Sequence, residues 1–543
     1  MPRRFTLVVP IVLAALLPAV ASAQAVELVR VDSLFADFGP GTPGCAVAAA
    51  RGGRTLFARA YGMADLAGRP ATPSTVYDIG SITKQFTAMG VLLLARDGRL
   101  SLDDDVRRWI PELPDYGHTI TLRHLLTHTG GVRDHLNLLA MQRGGSPAID
   151  DGDALEIILR QRELNFAPGT DWAYSNSGYT LLSEVVRRAS GRPLAELARE
   201  RILAPLGMSA TSFTDNDLRD RLALGYVRSG PGWAQAHYPV RTTGDGGMYS
   251  TVEDLLRWAE ALRTGRVGGA RAVRTMETPA SLSDGTPLNY ALGLRLGEHR
   301  GLRTVSHGGA GGGFRAELVR IPQRELAVAV LCNAGSAPAE ALALRVADGL
   351  LGSEPAAQAQ EAPPTAAPAD DLTPFAGVYV SASGIVRTFE ADSGTLRMRV
   401  PPGVVRRLVP LGGGRVRVLN TPVIYRFTRG AAHRETPGEP PAVFHYAGPA
   451  GDTLAAPARY TGRYHSPDLG VTWEVTTGED GALRVAHGGP QSPEKAIPMF
   501  RDGYMITYGL LRFQTDRRGQ VVAFTISDER VHSLRFDRVR EMK

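Results

Sequence analysis

The sequence predicts a molecule in two parts, a mixed α+β part up to residue 351 and an all-β part over 371–543. Three observations lead there. A composition break falls at 352–370, "GSEPAAQAQEAPPTAAPAD", which has almost nothing large and apolar to bury and so predicts an extended linker. Before it, β-rich runs and helical periods are interleaved. After it, short runs alternate apolar and polar residues, with hardly any helical period. A chain of 543 residues is also too long for one compact core.

The elements follow in order. "MPRR", the apolar "FTLVVPIVLAALLPAV" and "ASA" predict a secretory signal over 1–23, cleaved after Ala23, and hence a periplasmic or secreted protein. The first part then runs from 24 to 351. "GCAVAAARGGRTLFARAYGMAD" reads as a hairpin turning at Gly52–Gly53. A helix is expected over Ser81–Arg96, with Gly98 just past its end, and further helices in "ITLRHLLTHTGG" and "YTLLSEVVRRASG". "FRAELVRI" and "ELAVAVLCNAG" read as strands flanking a "PQR" turn. In the second part "GLLRFQTDRRGQVVAFTISD" is a two-strand pattern, and a weak repeat appears. "FAGVY" (375–379) recurs as "YTGRY" (460–464), and "GTLRM" (394–398) as "GALRV" (481–485). The repeat predicts an antiparallel barrel or sandwich built from two similar sets of strands.

A net charge of +6 is mild for this length, and no basic run carries interleaved aromatics, so nothing points to nucleic acid. Past the leader, no apolar run is long enough to span a bilayer. Cys45 and Cys332 lie in separate expected strands. They could pair in an oxidising compartment, but spacing alone does not place them together.

Three short patterns can carry chemistry. Only three of the 61 basic residues are lysines, and Lys84 follows Ser81 by one helical turn in "YDIGSITKQF". A serine hydroxyl needs a base to become a nucleophile, and a neutral amine can serve where a guanidinium cannot. The pattern also reads as a helix cap with a surface lysine, and "SPEK" ending at Lys495 repeats it in a turn-rich stretch. Next, "FAPGTDWAYSNSGYTLL" sets Tyr174 and Asn176 two apart, on one side of an extended segment leading into a helix. A tyrosine beside a lysine can relay a proton, and an asparagine can hold an amide. A capping turn with a buried tyrosine is the bland alternative. Last, "SHGGAGGGFRAEL" places His307 before a dense run of glycines, which suggests a close backbone approach or a plain flexible turn.

"SITK", "YSN" and "HGG" occur in that order, 93 and then 133 residues apart. Together with "LSLDDDVRRWIPELP", "ILAPLGMSATSF", "GDGGMYSTVEDLLRWA" and "YALGLRL" they resemble the serine β-lactamases and penicillin-recognising serine hydrolases, in the class C β-lactamase-like branch. The resemblance covers about 26–350. It implies an αβα sandwich with an antiparallel sheet, a helical subdomain, and a site between them. It also implies Ser81 as the acylated nucleophile, Lys84 as its base and Tyr174 as proton shuttle. Asn176, His307 and Gly309 would bind substrate, and the backbone N–H groups of Ser81 and Ala310 would form the oxyanion hole. No cofactor or metal is implied. The departure is His307, because β-lactamases and D-alanyl-D-alanine carboxypeptidases usually carry Lys-Thr-Gly there, and a histidine is mostly neutral at pH 7. Arg315 could compensate. His-x-Gly instead resembles the D-aminopeptidase, peptidase and esterase members, some of which carry a lipocalin-like barrel that would match 371–543.

The expected function is therefore an exported serine hydrolase acting on small peptide, amide or ester substrates. A β-lactamase or carboxypeptidase, and a non-catalytic binding protein on the same fold, are the alternatives. The barrel could build a homo-oligomer or cover the site. A zinc enzyme using His124, His128 and His135 of "HLLTHTGGVRDH" lacks the metalloprotease glutamate. An α/β-hydrolase lacks Gly-x-Ser-x-Gly.

Overall fold

The computed structural model describes residues 31–145, 147–214, 216–352, 371–400, 404–419, 421–436, 441–449, 457–487 and 493–539. The expected signal over 1–23 and all of the expected linker but Gly352 lie outside these.

Six antiparallel strands form the sheet of the first part. In spatial order they are Arg54–Tyr61, Cys45–Arg51, Leu326–Cys332, Phe314–Ile321, Leu302–Gly311 and Arg295–His299. The central strands are buried on both faces and divide their side chains by parity. Ala46, Ala48 and Ala50 join one core with the helix Val252–Thr264, where small side chains let the helix approach. Cys45, Val47 and Ala49 join another core with the helix Ala339–Leu351. Cys45 and Cys332 are register partners and form a disulfide between adjacent strands.

The expected helix at Ser81 splits in two. Gly80–Ile82 is a 3₁₀ turn, and the α-helix runs Thr83–Arg96, with Gly98 past it at φ +70°. Its residues Thr83 to Leu94 are all buried, so this is a central helix rather than an amphipathic surface one. Phe86 stacks on Trp258 at 4.5 Å, and the Trp258 indole donates to Gln85 Oε1 at 2.8 Å. In "ITLRHLLTHTGG" the helix is only Leu122–Leu126. "YTLLSEVVRRASG" lies in the helix Asn176–Ser190, which Gly191 ends in the left-handed region.

The second part is all β, and each copy of the repeat opens a sheet of its own. Eight strands between Gly377 and Gly448 close into a barrel, and nine strands between Gly462 and Arg538 form a second sheet. The two copies are thus two sheets, not two halves of one barrel. The physical content of the repeat is a tyrosine latch. A 3₁₀ turn precedes each first strand, and the tyrosine hydroxyl on that strand donates back across the turn. Tyr379 reaches Phe375 O at 3.1 Å and Tyr464 reaches Tyr460 O at 2.7 Å. The glycines of the second repeated pattern, Gly394 and Gly481, occupy turn positions at φ +84° and +71°.

The nine-stranded sheet shares a core with the first part of the chain. Leu138, Leu139 and Met141 of the helix His135–Arg143 pack with Trp473, Phe524 and Phe536. Arg133, 1 % exposed, pairs with Asp468 at 2.9 Å and donates to His532 O at 3.1 Å. Among the described residues no helix is long and apolar enough to cross a membrane.

Candidate active site

Ser81 stands where two backbones touch. Gly80 has φ +48°, and a Cβ there would lie 2.8 Å from Ala310 N; a Cβ on Gly309 would lie 2.0 Å from Ile79 O. Only glycine permits that approach. It sets Ser81 beside Ala310 at the rim of a cleft of about 1280 Å³, also lined by Tyr174, Asn176, His307 and Gly309. The glycine run has further close neighbours. A Cβ on Gly308 would meet Glu317 Oε2 at 2.8 Å, and Gly311 lies against the Tyr238 ring.

Lys84 is fully buried on the first turn of its helix, facing Ser81. Its Nζ donates to Ser81 Oγ at 3.1 Å, Asn176 Oδ1 at 2.8 Å and the Asp245 carbonyl at 2.6 Å. Asn176 is held in turn by its backbone N–H, which donates to Asp134 Oδ2 at 2.7 Å. Asp134, completely buried, also caps the helix His135–Arg143 by accepting from Leu136 N at 3.0 Å. The Tyr174 ring lies beneath Lys84 Nζ, 4.9 Å from centroid to nitrogen, and rests on the His128 ring at 4.2 Å.

His307 Nδ1 lies 2.7 Å from its neighbour's carbonyl, Gly308 O. A carbonyl only accepts, so Nδ1 carries the proton, and Nε2 accepts from the Tyr290 hydroxyl at 2.9 Å. Burial, and then the charge of Lys84, push its pKa down to about 3. The ring is a neutral wall, not a cation. Arg315 lines the same cleft, and its Nη1 donates to Phe314 O at 2.7 Å.

The three histidines weighed for zinc are spent on structure. His124 Nδ1 accepts from Thr121 N at 3.3 Å in a capping box. His128 Nδ1 accepts from Ser175 N at 3.2 Å, and the His135 ring faces Ser177 Oγ. Among the described residues no group of three metal-ligating side chains occurs. Lys495 pairs with Asp480 at 2.8 Å on an edge strand.

A family model described as Beta-lactamase matches residues 31–353, more than half of the sequence. The chain belongs to the beta-lactamase family. A D-aminopeptidase of Cereibacter sphaeroides (strain KD131 / KCTC 12085) is 29 % identical over 478 residues, covering 86 % of this chain and 88 % of that one. The octameric penicillin-binding protein homologue from Pyrococcus abyssi has a TM-score of 0.55 at 24 % identity, over 78 % of this chain and 99 % of the other. D-amino acid amidase from Ochrobactrum anthropi SV3, complexed with D-phenylalanine, has a TM-score of 0.51 at 25 % identity, over 60 % and 99 %.

This beta-lactamase family serine hydrolase has features that its motifs alone do not disclose. The loop Asp528–His532 of the nine-stranded sheet reaches the catalytic cleft. Asp528 Oδ1 accepts from the N–H groups of Arg530 and Val531, both at 2.7 Å, and shapes the loop. The Arg530 guanidinium then stands 5.1 Å over the Tyr174 ring centroid, and its carbonyl accepts from Asn165 Nδ2 at 2.9 Å. No motif marks a loop 356 positions from the residue it covers.

Glu317, 5 % exposed, lies across the sheet from Gly308 and lines the same cleft. Burial first, and Glu340 second, raise its carboxyl from 4.5 to about 8. The native state keeps a proton that the unfolded chain releases, so Glu317 costs stability progressively as pH rises from 4.5 to about 8. Glu317→Gln should therefore leave the denaturation midpoint nearly unchanged at pH 4.5. At pH 8 it should stabilise by about 3–5 kcal/mol. Equal effects at both values would mean that the carboxyl titrates normally.

Proposed function

We propose that the protein is an exported D-aminopeptidase-like hydrolase that cleaves small amides and esters through an acyl-enzyme on Ser81. The observation that carries this reading is the extent of the D-aminopeptidase similarity, which runs over 478 residues and so continues past the catalytic domain. The neutral His307 agrees with it, because a fixed cation for a β-lactam carboxylate is missing at that position. The Cys45–Cys332 disulfide supports export, since such bonds persist in oxidising compartments.

The hydrogen bonds of Lys84 suit the base. A neutral amine has two N–H bonds and one lone pair. Asn176 Oδ1 and the Asp245 carbonyl can keep the two N–H bonds, so once the third proton, on the N–H that points at Ser81 Oγ, has been lost, the lone pair faces the Ser81 hydroxyl. Ser81 Oγ attacks the carbonyl carbon while its proton passes to Lys84. The N–H groups of Ser81 and Ala310 would stabilise the oxyanion. Tyr174, against Lys84, would pass the proton to the departing amine or alcohol, and water would then cleave the acyl ester.

Rates on a D-amino-acid anilide, a short-chain aryl ester and a chromogenic cephalosporin test the reading. Turnover of the first two with little of the third is expected. Fast cephalosporin hydrolysis with neither of the others would overturn it in favour of a β-lactamase, and no turnover or Ser81 labelling by a fluorophosphonate would favour a binding protein.

A further inference from the structure

Resting on the aminopeptidase reading, we propose that Asp78 and Asp245 form the receptor for the ammonium group of the substrate's aminoacyl part. Geometry limits where such a receptor can be. The nitrogen of an α-amino acid lies about 2.5 Å from its own carbonyl carbon, as two bond lengths and the intervening angle require. Once Ser81 Oγ attacks that carbon, the ammonium must lie within one hydrogen bond of groups beside the nucleophile. Carboxylates farther along the cleft cannot reach it.

Asp78 and Asp245 are the acids tied to the nucleophile itself. Asp78 is three residues before Ser81, and its Oδ1 accepts from Gly80 N at 2.8 Å, which helps to form the nucleophile turn. The Asp245 carbonyl accepts a hydrogen bond from Lys84 Nζ at 2.6 Å, so that residue lies directly beside the amine. Both line the catalytic cleft. Asp245 is 5 % exposed, and its Oδ1 is buried without a hydrogen-bond partner among the described residues. A buried carboxylate oxygen without a donor is costly unless something supplies one.

The neighbourhood does not supply it. Asp78 is raised from 3.8 to about 6, chiefly by burial, and Asp245 adds to the rise. The cation acting on Asp78 is Arg241, whose Nη1 is turned to the Val240 carbonyl at 3.1 Å. Tyr238, which packs on Gly311 and Gly312, lines the same cleft and likewise feels both carboxylates. This part of the cleft is therefore a place for a positive group with N–H donors, next to the attacking oxygen. Glu317 does not compete for that role: it lies beyond Gly308 and keeps its proton at neutral pH.

D-Alanine methyl ester and methyl propionate, followed by proton release, isolate the ammonium, because that group is the only difference between their acyl parts. The wild-type protein should prefer the alanine ester in kcat/KM. Asp245→Asn and Asp78→Asn should each reduce the ratio of the two kcat/KM values by about thirtyfold or more, the scale for truncating one partner of a buried charge pair. Fluorophosphonate labelling of Ser81 in both variants checks that the site still folds. If both rates fall together and the ratio holds in both variants, the two carboxylates are not the receptor. If the wild-type protein itself prefers methyl propionate, the aminopeptidase reading fails, and the receptor with it.

Discussion

Replacing Lys84 by arginine is expected to lower acylation by at least about a thousandfold, the scale on which serine hydrolases depend on their base. Two causes act together. A guanidinium cannot release a proton near neutral pH. It also cannot enter a fully buried cage sized for one nitrogen, whose walls are Ser81 Oγ, Asn176 Oδ1 and the Asp245 carbonyl at 2.6–3.1 Å. Lys84→Met keeps the stem without the base and separates the two causes. Both variants should lose fluorophosphonate labelling at Ser81 and ester turnover, while circular dichroism reports a folded protein. Full activity in either variant would remove Lys84 from the chemistry.

Arg133→Met is expected to be the most damaging change outside the catalytic cleft. It leaves the Asp468 carboxylate, whose side chain is 10 % exposed, without its 2.9 Å partner and the His532 carbonyl without its donor. Breaking a buried ion pair on one side costs about 3–5 kcal/mol. The loss should also reach the substrate, because His532 belongs to the loop that carries Arg530 over Tyr174. A lower denaturation midpoint together with a higher KM is the expected result. Arg187→Ala is the control. Arg187 pairs with Glu184 on an exposed helix face, and the change should cost less than about 1 kcal/mol with no effect on KM. Equal losses in the two variants would mean that Arg133 acts as an ordinary surface charge.

What could be read in the sequence was local. Ser81 and Lys84 are one turn apart, and Tyr174 and Asn176 share a segment, so their chemistry shows in a window of a few residues. Gly98 and Gly191 stop their helices where the pattern places them. The tyrosines and glycines of the repeat were visible for the same reason, since Tyr464 needs only Tyr460 four residues away. Closure was not visible. Whether the strands form one sheet or two depends on pairings such as Val378 with Gly448, which no local pattern encodes. The supports of the site were hidden likewise. Asp134 holds Asn176 over 42 positions, Asp245 holds Lys84 over 161, and Arg530 sits in a loop with no period at all. His128 and Tyr290 stood inside quoted segments, but only the fold sets their rings against Tyr174 and His307.

The helix His135–Arg143 has its apolar side in the core of the nine-stranded sheet and its N-terminal cap on the backbone of Asn176. It behaves as the keystone of an arch whose two piers are different domains. Heating that loosens the outer pier is expected to tilt the keystone and take from Asn176 the anchor that aims it at Lys84 before the six-stranded sheet gives way. The temperature at which the protein stops working is then set by the domain that contains none of its reactive atoms.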